Sequence, residues 1–142
     1  SMNAVVEGAD DFHSPDQYRW WIGVPPYRVY KKMGDITAPS PSQFWMLLDE
    51  HPDTINNGDM AVKCDARGAQ ARFVDYPASY HNGACGLSFA DGHAEIKLWI
   101  DDRTKPPATY GKSSPITPSS PNNPDIAWLQ ERTSALRSAV ER

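Results

Sequence analysis

The chain has 142 residues, a length that fits one domain, and hydrophobic residues make up 39% of its composition. Its net charge of −4 argues against a nucleic-acid-binding protein, because such proteins usually carry a basic patch. Thirteen prolines and nine glycines predict many loops, and no run of Lys or Arg would attract anionic lipid.

Residues 1–34 form an aromatic-rich region without clear periodicity, in which Pro25 and Pro26 break any helix. We favour the interpretation that these rings cover a small core, since each large ring can bury ~150–250 Å². The alternative is a carbohydrate-binding module with an exposed aromatic platform that stacks on sugar rings. Its candidate residues are Trp20, Trp21, Tyr27 and Trp99.

Residues 35–104 are predicted to form a sheet. The apolar run at residues 44–48 predicts a central strand buried on both faces, although periodicity alone also permits a helix. Pro52 ends this strand because proline lacks the backbone donor that a ladder needs. Residues 60–63 are predicted as a short return strand and residues 71–76 as a further strand.

The clearest pattern lies between residues 81 and 99, which we interpret as a β-hairpin. Asp91-Gly92 is a two-residue turn signal, because both central positions of a type I′ turn need positive φ. A shift of one residue would expose the apolar side of the hairpin to water, so we expect a well-specified register. The turn predicts one apolar face made of the opposed pairs Phe89–Ala94, Leu87–Ile96 and Cys85–Leu98.

The C-terminal third divides into a polar segment and a helix. Residues 105–124 are rich in Pro, Ser and Thr and are predicted to be extended without regular structure. Residues 125–140 are predicted to form a helix packed on the sheet, with Asn123 as its cap and Pro124 at its first position. Spacings of three and four residues give an apolar stripe of Ile126, Leu129, Thr133, Leu136 and Val140, with Trp128 beside it.

Catalytic motifs are missing from the sequence, which contains no nucleophile elbow, HExxH pair, phosphate-binding loop or dinucleotide fingerprint. His81 and Asp91 would lie roughly 25–30 Å apart along an extended strand, so we do not expect them to share an ion. We expect His81 to anchor a loop and Asp91-Gly92 to form the turn. A metal-dependent hydrolase remains an alternative, with candidate ligands Asp49, Glu50, His51, His81 and His93.

Several segments together resemble pseudopilin-like proteins, which carry a type IV prepilin leader and a His-x9-Asp-Gly motif. His81 and Asp91-Gly92 match that motif, and the likeness extends over roughly residues 35–133. The family's Pro-Ser-x6-Asp-Glu-His segment is similar to residues 39–60, with Asp49 and Glu50 among the matched positions. Residues 74–83 resemble the lead-in to the motif, and residues 122–133 resemble its C-terminal Asn-Pro-Asp-x-x-Trp-Leu segment.

The resemblance implies an α+β fold: a pilin-like head domain with a small antiparallel β-sheet, long loops and a C-terminal helix. It implies a non-catalytic structural or interaction subunit of a type II secretion or type IV pilus-like assembly. Such a subunit would lie at the periplasmic face of the inner membrane or outside the cell, and would contact other pseudopilin subunits or secreted cargo. The family begins with a long apolar helix, but this sequence contains no apolar run near the ~20 residues that a membrane-spanning helix needs. We therefore interpret the chain as a head domain without its membrane anchor.

Two further expectations follow from the resemblance. Export would allow Cys64 and Cys85 to form one disulfide, the alternative being that Cys85 is a small buried hydrophobe. Pseudopilins of secretion systems often hold calcium in a C-terminal loop, and the candidate ligands here are Asp101, Asp102 and Asp125.

Overall fold

The computed structural model describes residues 1–6, 22–23, 26–111 and 118–138, and within them the chain adopts an α+β fold, as predicted. A five-stranded sheet is covered on one side by one helix, and three 3₁₀ turns lie in the loops. The strands are β1 (Met2–Asn3), β2 (Trp45–Leu48), β3 (Asp59–Met60), β4 (Ala84–Phe89) and β5 (Ala94–Leu98), and the helix is α1 (Pro124–Thr133).

The sheet has the order β3-β1-β2-β4-β5, so β2 is a central strand, as predicted. Three of the four strand pairs are antiparallel, as expected, but the sheet is mixed because β1 and β3 pair in parallel. The chain start occupies the side of β2 where a return strand was expected: Leu48 N donates to Ser1 O at 3.0 Å. Residues after Gly58 therefore pair with β1 instead of β2, and β3 is only two residues long.

The strand predicted at residues 71–76 is not formed. Arg72 makes only an isolated bridge to Ser119, and Phe73 N donates to Pro118 O at 3.2 Å. The apolar side chains of this segment instead pack in a small cluster with Ile126 of α1. Weak alternation here reflects contact with the helix and with residues 118–120, which local sequence does not reveal.

The main core lies between α1 and one side of β2, β4 and β5, which we call the inner face. Trp45 Nε1 donates to Thr133 Oγ1 at 2.9 Å, and Trp99 Nε1 donates to Ala78 O at 2.8 Å, so both large rings are buried with their polar atoms satisfied. The core residues of this face include Trp45, Leu48, Cys85, Leu87, Phe89 and Trp99, and Leu129 of α1 belongs to the same cluster.

Helix α1 begins as predicted, since Asn123 Oδ1 accepts from the backbone nitrogens of Asp125 and Ile126. It ends at Thr133, earlier than predicted, because Ser134 is extended. The chain then runs beside residues 26–28, to which it is tied by two backbone hydrogen bonds of 2.8–2.9 Å. Leu136 is consequently half exposed outside the helix, and Val140 lies outside the described residues.

Cys64 and Cys85 are buried as free thiols in two different core clusters, so the disulfide is not formed. Burial raises the pKa of each thiol to about 12. Cys85 is thus the small buried hydrophobe of the alternative interpretation. Among the described residues, no helix has both the length and the apolar character needed to cross a bilayer.

Candidate interaction surface on the outer face of the sheet

The side of β2, β4 and β5 that faces away from α1 carries large apolar side chains exposed to solvent. We call this side the outer face. Leu47 on β2 is 50% exposed, whereas Ile96 and Leu98 on β5 are 81% and 61% exposed. Ile100 continues the same alternation just beyond β5 and is 71% exposed. Several large apolar side chains exposed on the same side of a sheet are typical of an interaction site.

A shallow groove of about 510 Å³ runs across the outer face. Small residues form its floor, because Gly86 and Ser88 of β4 lie between the larger side chains of the neighbouring strands. Leu47 and Ile96 form its two walls, and Glu95 lies at the rim. The groove therefore has apolar walls and a floor of small residues, and its lining includes the two carboxylates Asp49 and Glu95.

The observed hairpin register differs from the predicted one by one residue, so the prediction was wrong here. The observed register places the apolar side chains of β5 on the outer face. Observed pairs are Gly86–Ile96 and Leu87–Glu95, where the sequence analysis had Leu87 opposite Ile96. Phe89 N donates to His93 O at 2.9 Å, so the loop has three residues instead of two. Cys85, Leu87 and Phe89 are buried as predicted, but the apolar residues of β5 point to the outer face.

The turn chemistry explains the extra residue. Of the two residues Asp91 and Gly92, only Gly92 has a positive φ (+94°), whereas a two-residue type I′ turn would need a positive φ at both. Gly92 N donates to Phe89 O at 3.0 Å, which gives a tight turn followed by a left-handed glycine, the usual three-residue solution. Ala90 N donates to Phe44 O at 2.9 Å, so the loop is also held by the residue before β2.

His93 at the hairpin tip lies between two carboxylates. Its Nδ1 is 2.5 Å from Asp91 Oδ1 and its Nε2 is 2.9 Å from Glu95 Oε1, while the ring stacks on Phe89 at 4.4 Å. The hydrogen bonds that His93 donates to Asp91 and Glu95 raise the pKa of His93, and the bond to Asp91 lowers the pKa of that carboxyl group. This arrangement stabilises the imidazolium and uses both ring nitrogens, so they do not serve as metal ligands in this geometry.

His81 and Asp49 meet at the edge of the outer face, at 3.4 Å between Nε2 and Oδ2. Both side chains are about half exposed. Asp49 Oδ2 also accepts a hydrogen bond from Gly86 N at 3.4 Å. Of the matched motif positions, His81 thus contacts Asp49, whereas Asp91 and Gly92 build the turn. Asp91-Gly92 therefore lies in the turn, as the sequence analysis expected, whereas the anchoring of a loop by His81 stays a prediction.

Glu50, the next residue, is buried, with only 3% of its surface exposed. One carboxylate oxygen accepts from Ser1 Oγ, and Oε1 has no hydrogen-bond partner within the described part of the chain. Burial raises the pKa of Glu50 to about 7, and the charge of nearby Asp75 contributes to this. The pKa of Asp75 is raised to about 6, again mainly by burial.

His51 is a structural residue that fixes the proline-rich segment. Nδ1 accepts from Asp53 N at 3.2 Å, which assigns the proton to Nε2 and lets it donate to Pro106 O at 2.9 Å. Asp53 Oδ2 accepts from both the nitrogen and the hydroxyl of Thr109. Both nitrogens of the buried imidazole are therefore hydrogen-bonded to the backbone of the protein.

The aspartates proposed for calcium are also engaged. Asp125 is fully buried and accepts from Ile100 N, Asp101 N and Thr104 Oγ1 at 2.8–3.1 Å. Asp101 is bound by the Arg103 guanidinium, which holds the pKa of Asp101 below its usual range. The Asp102 Oδ1 atom lies 3.0 Å from Lys105 Nζ. Within the described ranges, no group of three or more His, Cys, Asp or Glu side chains is placed to hold a metal ion.

Of the residues suggested for sugar stacking, the two that the structure describes are buried. Tyr27 and Trp99 are 6% and 2% exposed, so neither presents a ring face to solvent. Trp99 packs edge-on against Trp128, and Lys97 Nζ lies 5.2–5.4 Å from the two ring centres. Trp20 and Trp21 lie outside the described residues.

The exposed residues of β5 were missed as a candidate surface because the sequence analysis placed them in the core. A signal for the true register is present: Trp99 has the opposite parity to Ile96, Leu98 and Ile100. Only one of these two sets can face the core, because side chains alternate along a strand.

Comparison of the chain with family models, with curated proteins and with solved structures gave no match.

Proposed function

We propose that this chain is a non-catalytic structural or interaction subunit, the head domain of a type II secretion or type IV pilus-like assembly. Its place would be the periplasmic face of the inner membrane or the cell exterior. The observation that supports a role in assembly is the exposed apolar outer face, on a sheet whose inner face already packs against α1. Contact with another subunit or with secreted cargo would remove this surface from water.

The contacts of the titratable side chains favour a structural role over a catalytic one. His51, His93 and Asp125 are each held by two or more hydrogen bonds within the fold. A general base or metal ligand needs a lone pair directed at substrate or metal. The lone pairs of His51 Nδ1 and of the Asp125 carboxylate face protein donors, and both nitrogens of His93 face carboxylates. Calcium at Asp101, Asp102 and Asp125, and sugar binding through Trp20 and Trp21, remain predictions.

The experiment is photocrosslinking in cells that express the full-length gene product. A photoreactive residue at Leu47 or Leu98 should give protein adducts of higher mass, whereas one at Met33, which is 55% exposed, serves as a matched control away from the sheet. Adducts from the outer-face positions in a membrane or surface fraction would support the proposal. A protein that remains free of adducts at all three positions would contradict it.

A further inference from the structure

Strand β5 is the last strand of the sheet, and among the described residues no strand pairs with its free side. The bonds from Phe89 N to His93 O and from Trp99 N to Gly83 O show that odd-numbered residues turn their backbone groups towards β4. In an antiparallel ladder the alternate residues point the other way. The backbone N–H and C=O groups directed at the free edge are therefore those of Ala94, Ile96 and Leu98.

The free edge is open along most of its length. Within the described part of the chain, the hydrogen bond made there is from Lys97 Nζ, which donates to Leu98 O at 2.8 Å. A carbonyl oxygen has two lone pairs, so Leu98 O can accept a second hydrogen bond. The side chains of the same edge residues are exposed on the outer face, with Ile96 at the centre. An exposed apolar strand with free backbone groups is a template for pairing with another strand.

The sequence of β5 is complementary to itself when read in the opposite direction. Turning a second copy about an axis through Ile96 places Ala94 opposite Leu98, a small residue beside a large one. Ile96 lies opposite its own counterpart, and β-branched pairs are favourable across antiparallel strands. On the other face, Glu95 lies opposite Lys97, so opposite charges meet on both sides of the axis.

We propose that β5 pairs antiparallel with β5 of a second copy of this chain, about a two-fold axis at Ile96. This pairing would extend the same outer face on which the proposed function depends, so the inference rests on the proposed function. Each opposed edge pair exchanges two backbone hydrogen bonds, giving about six in all. The two sheets become one continuous sheet, in which the outer faces form a single apolar surface.

Self-complementarity favours a second copy over an unrelated strand. A two-fold contact requires that residue i meet residue j while j meets i, and the charge pair Glu95–Lys97 satisfies this condition. A strand of five residues buries less than the ~1,200–2,000 Å² of stable interfaces, so pairing should be weak and should depend on concentration. The test must therefore trap or detect a minor dimer.

Cysteine crosslinking of the complete 142-residue chain provides that test, because Cys64 and Cys85 are buried and do not compete. In Ile96→Cys the two sulfur-bearing residues would be directly opposed, at ~5.5 Å between Cα atoms, within disulfide reach. In Leu98→Cys they would be roughly 13 Å apart at ~3.3 Å per residue. We expect oxidation to link Ile96→Cys about tenfold faster than Leu98→Cys, since only the former meets the geometric requirement.

Two further combinations fix the direction and the face. A mixture of Ala94→Cys and Leu98→Cys chains should form a mixed disulfide, whereas each alone should not. Leu47→Cys lies on the outer face two strands from the edge and should remain unlinked. Equal linking at Leu47 and Ile96 would indicate face-to-face packing and overturn the proposal, as would equal linking at Ile96 and Leu98.

Amide exchange of the unmodified chain gives an independent readout. The amides of Ala94, Ile96 and Leu98 should exchange more slowly as concentration rises, whereas Glu95 and Lys97 already donate to β4 and should not change. Exchange at the edge amides that is independent of concentration would overturn self-pairing. Adducts in cells at Leu47 without a link at Ile96 in the purified chain would overturn only the pairing, and the outer face would remain a contact surface.

Discussion

Strands β4 and β5 each carry a row of apolar side chains, but those of β4 lie on the inner face and are buried, whereas those of β5 lie on the outer face and are exposed. Leu87 on the inner face is 3% exposed, and Ile96 on the outer face is 81% exposed. Hydrophobicity does not distinguish these residues. The difference comes from one additional residue in the turn, which reverses the orientation of every side chain on β5.

The largest expected effect comes from removing one side chain from each face. Leu87→Ala should lower the free energy of unfolding by about 2–5 kcal/mol, because it leaves a cavity in the core. Ile96→Ala is the matched control and should change it by no more than ~0.5 kcal/mol, because the side chain is exposed. Urea denaturation of both variants measures this, and equal losses would mean that the outer face is packed in the isolated chain.

Adjacent carboxylates at the end of β2 sharpen the same contrast, since Asp49 is half exposed and Glu50 is buried. The pKa of Glu50 is raised from 4.5 to about 7, so the folded state favours the protonated form. Below pH 4.5 the carboxyl is protonated in both states and costs nothing. As pH rises from about 4.5 to 7, the unfolded state ionises first and stability falls.

Glu50→Gln should therefore flatten the decline in stability between these pH values. At pH 8 we expect a gain on the order of 2 kcal/mol, because one pKa unit corresponds to ~1.4 kcal/mol and residual solvent contact reduces the full value. Asp75, whose pKa is raised to about 6, should leave a smaller decline of the same sign. Thermal unfolding across the pH series measures both, and a variant as pH-dependent as the parent would contradict the assignment.

The turn itself can be altered without touching either face. Gly92→Ala should cost about 1–2 kcal/mol, since φ is +94° and a Cβ there meets no atom within 4 Å, so the penalty is purely conformational. Gly58→Ala is the control, because its added Cβ also meets nothing and its φ is outside the left-handed range. Denaturation midpoints compare the two, and similar midpoints would argue against the three-residue turn.

The smallest effect concerns the histidine at the hairpin tip. Asp91 and Glu95 raise the pKa of His93, so its stabilising contribution is complete below its ordinary value of 6.5 and is lost as pH rises through the raised value. Glu95→Gln removes one of the two carboxylates that accept hydrogen bonds from the His93 ring, and it should move the pKa of His93 back towards 6.5. Proton NMR of the imidazole ring follows this titration, and an unchanged midpoint would mean that Glu95 does not bind the ring in solution.

Local chemistry predicted several elements correctly. The Asn123-Pro124 start of the helix and the buried side of β4 were both correct, because capping and alternation depend on neighbouring residues. The central position of β2 also agrees with the structure, although Leu47 is half exposed instead of buried. These features need only short-range information.

Long-range pairing accounts for the errors. Met2–Asn3 is a strand only because residues far along the chain lie on both sides of it, and no propensity marks two residues as β1. The helix ends at Thr133 because Ser134 Oγ donates to Arg28 O, a contact across more than one hundred residues. The candidate surface was missed for a related reason: its exposure depends on a turn whose dipeptide permits two loop lengths.

The two margins of the sheet have very different lengths, and this sets a limit on growth. Strand β5 contributes five residues at one margin, and β3 contributes two at the other. If a pair of chains joins through the longer margin, as proposed, each outward end offers, among the residues that the structure describes, only the two-residue strand β3. Two residues provide too few ladder bonds to recruit a third chain, so this mode of association is self-terminating and does not lead to open-ended fibres.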